Sequence, residues 1–362
     1  MLRLALSVAI LISVSDLQAQ PSKENGLLWG SIYGDSFGGP YEFKKVSYHP
    51  LIHLDKKLNS NQWQTLAKSV RLIDYPMKAS PYGAWTDYAP AGTITDDSRH
   101  KIIYWNARVN NRVSRRSLAK SYTLFHKKKT GMYSTWLDQY VRSAWYVLDK
   151  NNPLSMPLER LWGGVPTQAG QMIFLLEALS FPNDPIKAYK HTYKINYIDQ
   201  GVAKDYTSSV VAGLSYALAQ SATWNGFKLA MINTDPYQYS KIPYVKREIS
   251  QCILMAQDFV KMSKGVPKSL YKILEENLQA KTWWEAKTSF VASLAFLEMA
   301  YQNDNPMAAL ALVKDFGHDT DSYAQIVGAV IGALEGIDKF NPNEIKLIQD
   351  KIKVEFGDVL GL

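Results

Sequence analysis

The stretch from Gly317 to Gly336 constrains the fold of this 362-residue sequence more than any other. It opens with Gly-His-Asp-Thr-Asp-Ser, and the residues that follow are apolar or small on nearly every face. Gly328, Gly332 and Gly336 recur every four residues. Such a pattern predicts a helix that is buried all round and has one bare seam for a neighbouring backbone. A core helix therefore begins with two carboxylates and two hydroxyls.

The two acids at the start of this helix, Asp319 and Asp321, have a setting that favours anions. A helix N-terminus carries partial positive charge and unpaired N–H groups. Two carboxylates that point to the same side repel each other unless a cation or a proton lies between them. Mg2+ prefers a shell of carboxylates, hydroxyls and waters. Taken alone, the hexamer fits a metal site and an N-cap with a solvated acid equally well.

A second glycine series lies near the start of the chain. Glycine recurs every four residues from Gly26 to Gly38, which predicts a tightly packed helix that ends at Gly39-Pro40. Each glycine costs a helix roughly 1 kcal/mol relative to alanine, so close backbone approach is the usual compensation. Glu42 follows this helix directly. An ordinary surface acid is the alternative interpretation of Glu42.

The segment Thr95-Asp96-Asp97-Ser98 repeats the chemistry of Thr320-Asp321-Ser322, because hydroxyls and acids again precede a helical pattern. Alone it is a capping motif with a spare acid. Beside the late motif it supplies a second half of an oxygen ligand shell.

The remaining pattern is helical, and no alternating strand pattern exceeds a few residues, so we predict an all-α fold. The predicted helices, besides those already described, cover residues 60–72, 99–105, 118–150, 172–179, 206–221, 245–263, 267–276, 283–302, 306–314 and 342–353.

Residues 1–19 have the features of a secretory signal. A basic start is followed by an apolar run from Leu4 to Val14 and by a small residue, Ala19, at a cleavage position. The run is too short to span a membrane. We therefore expect residues 20–362 to form one exported domain, periplasmic or extracellular, with no stable membrane anchor. The single cysteine, Cys252, excludes an internal disulfide, so the fold depends on its apolar core.

The chain carries 41 basic and 33 acidic residues, a net charge of +8. The excess is concentrated between Arg99 and Lys129. A basic surface attracts phosphates in general, although a solvated face is the simpler interpretation. No nucleic-acid-binding motif accompanies it, and we expect no nucleic acid partner.

Three motifs taken together resemble the signatures of the ADP-ribosylglycohydrolase family. They are Gly34-Asp35-Ser36-Phe37-Gly38-Gly39-Pro40-Tyr41-Glu42, Thr95-Asp96-Asp97-Ser98 and Gly317-His318-Asp319-Thr320-Asp321-Ser322. Their order and their distances from the chain ends also match, so the resemblance spans nearly the whole chain after the signal. It implies a single all-α domain of orthogonally packed helices.

The resemblance also implies a pair of Mg2+ ions, or Mn2+ in some members, at the bottom of a cleft. The metal ligands that it implies are Thr95, Asp96, Asp97, Asp319, Asp321 and Ser322. Ser322 stands where threonine is commoner and keeps the oxygen ligand. His318 stands where glycine is commoner, which affects the local backbone path. Glu42 matches the family's acidic residue after the first helix and is our candidate catalytic acid/base.

Candidate substrate contacts are less specific. The loop that contains Gly163, Gly164, Gln168 and Gly170 resembles the family's phosphate-contacting loop, although it lacks the usual Asn-Gly pair. Asp205 either faces the pocket or caps the helix that follows it, and Trp85 and Tyr88 either stack on a ligand ring or pack within their loop.

The function that the resemblance implies is metal-dependent hydrolysis of an N- or O-glycosidic bond at the anomeric ribose carbon. The substrate would be an ADP-ribosylated protein or a small-molecule riboside. The alternative is a catalytically silent protein that keeps the metal site and binds ADP-ribose or another anion.

Overall fold

The computed structural model describes residues 21–43, 49–74, 89–128, 134–244, 246–278 and 282–360. The predicted signal at 1–19, Trp85 and Tyr88 lie outside these ranges. Within them the regular structure is helical, apart from two isolated β-bridges, and the all-α prediction is confirmed. The helices are α1 (Pro21–Gly38), α2 (Ser60–Lys68), α3 (Asp96–Asn106), α4 (Arg115–Lys128), α5 (Ser134–Leu148), α6 (Ala169–Ile173), α7 (Pro185–Ile195), α8 (Ala203–Ala217), α9 (Trp224–Asn233), α10 (Ile249–Met262), α11 (Pro267–Asn277), α12 (Ala286–Tyr301), α13 (Ala308–Phe316), α14 (Thr320–Glu335) and α15 (Pro342–Phe356).

Helices α1 and α14 pack antiparallel along the two glycine series. A Cβ atom on Gly30 would lie 2.4 Å from the carbonyl oxygen of Gly328, and one on Gly328 would lie 2.1 Å from the carbonyl oxygen of Gly30. Gly26 and Gly332 have the same relationship at the far end of the pair. The glycine face that the sequence predicted on α14 therefore packs against the glycine face of α1. This contact brings together two segments that are almost 300 residues apart.

The site-bearing ends of the pair are held together by a direct bond. The Thr320 hydroxyl donates to the carbonyl oxygen of Gly38 over 2.8 Å. Around this pair, α12 contributes an almost fully buried helix to the core, and Phe290, Leu297 and their neighbours pack there. Full burial of one such side chain stabilises the fold by about 1.5–3 kcal/mol. The start of α14 is therefore held by α1 and lies against the buried core.

Two helices were not predicted from the sequence. Helix α7 begins with Pro185, and the Asp184 side chain accepts a hydrogen bond from the backbone N–H of Lys187. Helix α9 is capped in the same way by Thr223, which accepts from the N–H of Gly226. The predicted helix at 118–150 is two helices, α4 and α5. None of the helices in the described ranges combines the length and the apolar character that a bilayer crossing needs.

Candidate metal centre

Carboxylates from separate parts of the chain converge where α1, α3 and α14 meet. Oxygen atoms of Asp35, Asp97 and Asp321 lie within 4.8 Å of one another. Oxygen atoms of Glu42, Asp319 and Asp321 do so as well. The two groups of three share Asp321, so the acids form two adjoining clusters.

The N-terminus of α3 is fixed against α1 by Asp35. The backbone N–H of Thr95 donates to Asp35 Oδ2 over 3.1 Å, and the Thr95 hydroxyl donates to Asp35 Oδ1. The same hydroxyl accepts from the N–H of Asp97 over 3.2 Å, which makes Thr95 the N-cap of α3. Asp35 thus braces the start of the helix and also belongs to one acidic cluster.

The turn before α14 has an unusual backbone path. His318, at the position where the family resemblance would favour glycine, has a φ of 62°. Its ring stacks on Trp283 with centroids 3.7 Å apart, and this packing holds a conformation that few side chains adopt. The His318 carbonyl accepts a hydrogen bond of 2.6 Å from the N–H of Phe43. This bond ties the segment that carries Glu42 to the turn that carries Asp319.

Burial and crowding raise the pKa values of these acids. Burial is the main cause for Asp96, whose pKa rises to about 7, and for Asp321, whose pKa rises to about 6, and neighbouring carboxylates add to both shifts. Burial and like charges also hold the pKa values of Glu42, Asp97 and Asp319 well above their usual range. The repulsion among these carboxylates falls when they bind protons or cations. The group fits hard divalent ions, which take carboxylate ligands.

Two buried side chains bond to the outer edge of the acidic clusters. Gln325 Nε2 donates to Asp97 Oδ2 over 2.6 Å, and the fully buried Lys101 donates to Gln325 Oε1. Gln168 Nε2 donates to Asp319 Oδ2 over 2.6 Å. Each amide orients one carboxylate, as supporting residues do at metal sites.

A cavity of about 430 Å³ opens above the acids. This volume lies in the range of small-molecule sites. The lining combines acidic, aromatic, apolar and neutral polar side chains, namely Glu42, Phe43, Asp96, Asp97, Gln139, Tyr140, Trp162, Val165, Thr167, Gln168, Ala169, Met172, Thr282, Trp284, Asp319, Asp321 and Ser322.

The sequence matches a family model described as ADP-ribosylglycohydrolase over residues 17–359. The chain belongs to the ADP-ribosylglycohydrolase family. Its fold is similar to that of a solved structure described as "ADP-ribosylglycohydrolase-related protein complex", with a TM-score of 0.56 and 12% sequence identity. The similarity covers 91% of this chain and 98% of that chain. No curated protein matches the sequence.

The structure brings together most residues that the family resemblance implied as metal ligands. Asp96, Asp97, Asp319, Asp321 and Ser322 line the cavity beside the candidate acid/base, Glu42. The sixth implied ligand, Thr95, is buried with its hydroxyl bonded to Asp35. Asp35 was not among the residues that the family resemblance implied as metal ligands. Its place in the strict Gly-Asp-Ser motif was the available signal for a further role.

Only some of the candidate substrate residues line the cavity. Gln168 lines the cavity, whereas Gly163 and Gly164 are exposed in the preceding loop and are not among the lining residues. The N–H of Gly170 donates to Asp199 Oδ1 over 2.7 Å, and a Cβ there would lie 2.0 Å from Asp199 Oδ2. Gly170 therefore serves loop packing, and its N–H does not offer a free phosphate contact.

Asp205 does not reach the cavity lining. It lies in the first turn of α8, where it is ion-paired with Arg247 and accepts a hydrogen bond of 2.6 Å from the Tyr189 hydroxyl. Of the two roles that the sequence left open for Asp205, these contacts match neither a pocket residue nor a helix cap, and they hold α8 against Tyr189 and Arg247. The aromatic lining residues were missed, because an isolated aromatic residue gives no distinctive sequence signal.

Proposed function

We propose that this protein is a metal-dependent hydrolase that cleaves the glycosidic bond at the anomeric carbon of a ribosyl group. The observation that carries the proposal is the pair of acidic clusters that share Asp321 at the floor of a ligand-sized cavity. Membership of the ADP-ribosylglycohydrolase family supports hydrolysis of a glycosidic bond. ADP-ribosyl groups and related ribosides are the substrate class.

The first cluster, Asp35, Asp97 and Asp321, and the second, Glu42, Asp319 and Asp321, would each hold one cation. We propose Mg2+, with Mn2+ as an alternative, because every donor is a hard oxygen. When bound, divalent cations supply positive charge that binds oxygen atoms of substrate and water.

Glu42 is the acid/base in this proposal. Its carboxyl lies beside Asp319 and Asp321 and faces the cavity. Burial, and then the like charges around it, keep the pKa of Glu42 high, so the group holds a proton more readily than a surface glutamate. In the reaction, the bond from the anomeric carbon to the leaving atom breaks and a water oxygen bonds to that carbon. The water loses one proton, and the leaving group takes up one.

The surrounding residues keep the acids in place during this exchange. The bond between the N–H of Phe43 and the His318 carbonyl fixes the backbone beside Glu42. The Ser322 N–H donates to Asp321 Oδ1 over 3.0 Å, which orients the shared carboxylate at the helix start. Pre-organisation of this kind is what positions a reacting group against a substrate.

The test combines metal binding with hydrolysis. Purified protein is titrated with Mg2+ and Mn2+ by calorimetry and is then incubated with ADP-ribosyl-arginine, ADP-ribosyl-serine and simple ribosides. We expect two cation sites and release of the leaving group. Glu42→Gln should lower the turnover number roughly 10²–10⁴-fold, the usual contribution of general acid–base catalysis. It should retain at least one cation site, because the cluster of Asp35, Asp97 and Asp321 does not include Glu42.

Two outcomes would contradict the proposal. Full hydrolysis by Glu42→Gln with cations bound would remove Glu42 from the chemistry. Cation binding by the unchanged protein without hydrolysis of any riboside would instead support the silent binding protein.

The protein is also proposed to be exported, on the basis of the signal-like composition of residues 1–19. Cell fractionation and N-terminal sequencing of the mature chain test this. A product that retains Met1 in the cytoplasm would contradict it.

A further inference from the structure

The cavity above the acids has an aromatic wall that the proposed chemistry does not use. Phe43 and Trp284 meet edge to face with ring centroids 6.0 Å apart, and Tyr140 and Trp162 meet in the same way at 5.1 Å. Phe43 is 43% exposed and Trp284 is 38% exposed, although both are large apolar side chains. Open aromatic faces beside a polar site offer a stacking surface to a planar ligand.

The part of the loop from Val165 to Gly170, which leads into α6, is not arranged to bind phosphate. Phosphate sites in loops use backbone N–H groups that point freely at the ligand. Between Val165 and Gly170 these groups are bonded within the protein. Their acceptors are the Trp162 carbonyl for Val165 (3.1 Å), the Val165 carbonyl for Thr167 (3.0 Å), the Trp284 carbonyl for Gln168 (2.9 Å), Thr167 Oγ1 for Ala169 (3.4 Å) and Asp199 Oδ1 for Gly170 (2.7 Å). Pro166 has no N–H.

The charges of the cavity lining also disfavour the binding of phosphate groups. Within the described ranges, the charged side chains that line the cavity are five carboxylates, those of Glu42, Asp96, Asp97, Asp319 and Asp321. Two divalent cations would offset four of these five charges, and the remaining negative charge would repel an added diphosphate. A neutral aromatic group does not meet this repulsion.

Three buried polar atoms of the lining residues have no hydrogen-bond partner among the described residues, namely Gln168 Oε1, Trp162 Nε1 and Thr282 Oγ1, and of these Gln168 Oε1 can only accept. Gln168 is 2% exposed, and its Nε2 is used by Asp319. Its Oε1 is buried and has no hydrogen-bond partner in the part of the chain that the structure describes. A buried acceptor without a partner is costly, so a ligand O–H or N–H that reaches it would be favoured.

We infer that the site takes a neutral riboside with an aromatic leaving group, a nucleoside-like compound, in preference to an ADP-ribosyl group. This inference rests on the proposed hydrolase function and narrows its substrate class. Water adds to C1′, the bond from C1′ to the ring nitrogen or phenolic oxygen breaks, and the aromatic group leaves with a proton. The products are free ribose and the aromatic base or phenol.

Matched substrates test the inference. Adenosine, inosine and both anomers of 4-nitrophenyl riboside are each compared with their own 5′-phosphates and with ADP-ribosyl-arginine, all with saturating Mg2+. We expect at least a tenfold higher kcat/KM for the best neutral aromatic riboside than for its 5′-phosphate or for ADP-ribosyl-arginine.

Variants separate stacking from general damage to the site. Trp284→Ala should raise the KM for the aromatic riboside roughly fivefold or more, since stacking of a base on an aromatic side chain contributes about 1–3 kcal/mol. Trp284→Phe should restore much of this loss. The KM for methyl riboside, which has no ring to stack, should be unchanged. Tyr244→Ala is the control, because Tyr244 is 96% exposed and is not among the lining residues.

The outcomes are distinguishable. Preferred hydrolysis of ADP-ribosyl-arginine or of the 5′-phosphates would overturn the inference and leave the hydrolase function intact. An equal effect of Trp284→Ala on methyl riboside would also overturn it. No hydrolysis of any substrate by the metal-loaded protein would overturn the proposed function itself.

Discussion

Gln325 in the middle of α14 donates a hydrogen bond of 2.6 Å to Asp97 Oδ2 at the start of α3. The same amide accepts from the buried ammonium group of Lys101 through its oxygen. The lysine charge is thereby placed behind the acids rather than within the cavity. The orientation of the Gln325 amide is fixed, because its nitrogen donates to Asp97 and its oxygen accepts from Lys101. Gln325 therefore holds the Asp97 carboxylate in one orientation.

The first prediction concerns this amide. Gln325→Leu should weaken Mg2+ affinity about 10–100-fold, as loss of supporting bonds does at other metal sites. Calorimetric titration with Mg2+ measures the change. Gln302→Leu is the control, because Gln302 bonds Glu298 at the end of α12. Unchanged affinity in Gln325→Leu would show that Asp97 does not depend on the amide for its orientation.

The second prediction concerns the shared carboxylate. Asp321 contributes to both clusters, so Asp321→Asn should reduce binding at both cation sites, whereas Asp319→Asn should mainly affect one. Without metal, Asp321→Asn should melt at a higher temperature than the unchanged protein, because it removes one of the repelling charges. Melting curves with EDTA and with Mg2+ measure both effects. Asp258→Asn on the exposed face of α10 should change neither. A metal-free Asp321→Asn that melts lower would contradict the predicted repulsion.

The third prediction follows from the raised pKa values. The pKa of Asp96 is about 7 and that of Asp321 about 6 in the folded protein, against about 4 in an unfolded chain. Between these values the folded state binds more protons, so the metal-free protein loses stability as pH rises from about 4 to about 7. The gain in Tm on adding Mg2+ should therefore grow over the same interval. A gain that does not depend on pH would show that cations and protons do not compete for these oxygens.

The fourth prediction concerns the glycine seam. Gly30→Ala places a Cβ 2.4 Å from the Gly328 carbonyl oxygen, so the helices must separate. Overpacking of this kind typically costs about 1–3 kcal/mol, measured here by urea unfolding of the metal-free protein. Asn25→Ala, at an exposed position of the same helix, is the matched control and should be neutral or slightly stabilising. Equal stability of Gly30→Ala and Asn25→Ala would mean that the seam tolerates extra volume.

Much of this arrangement could be predicted because its causes are local in the sequence. Glycines spaced four apart predict a helix face that packs closely against a neighbouring backbone. Paired acids before a helix predict a site where negative charge is concentrated. The short helices α7 and α9 were missed because their apolar faces are narrow, although Asp184 and Thr223 supplied capping signals. Boundaries such as the break between α4 and α5 depend on tertiary packing that no short window contains.

The site was predicted less completely than the fold for a related reason. The bond between the N–H of Gly170 and Asp199 depends on a loop meeting a residue 29 positions away, which spacing alone does not indicate. Likewise, Phe43 and Trp284 come together only through the folded chain. Contacts of this type decide which N–H groups and aromatic faces remain available to a ligand.

The antiparallel pairing of α1 with α14 has a consequence for biosynthesis. The ribosome makes Asp35 long before Asp321, and most of the chain must emerge before these two residues can meet. Until then the glycine face of α1 has no partner, and neither acidic cluster can form. A nascent chain that stops before residue 320 is therefore expected to lack the proposed hydrolase activity, which can arise only when translation is nearly finished.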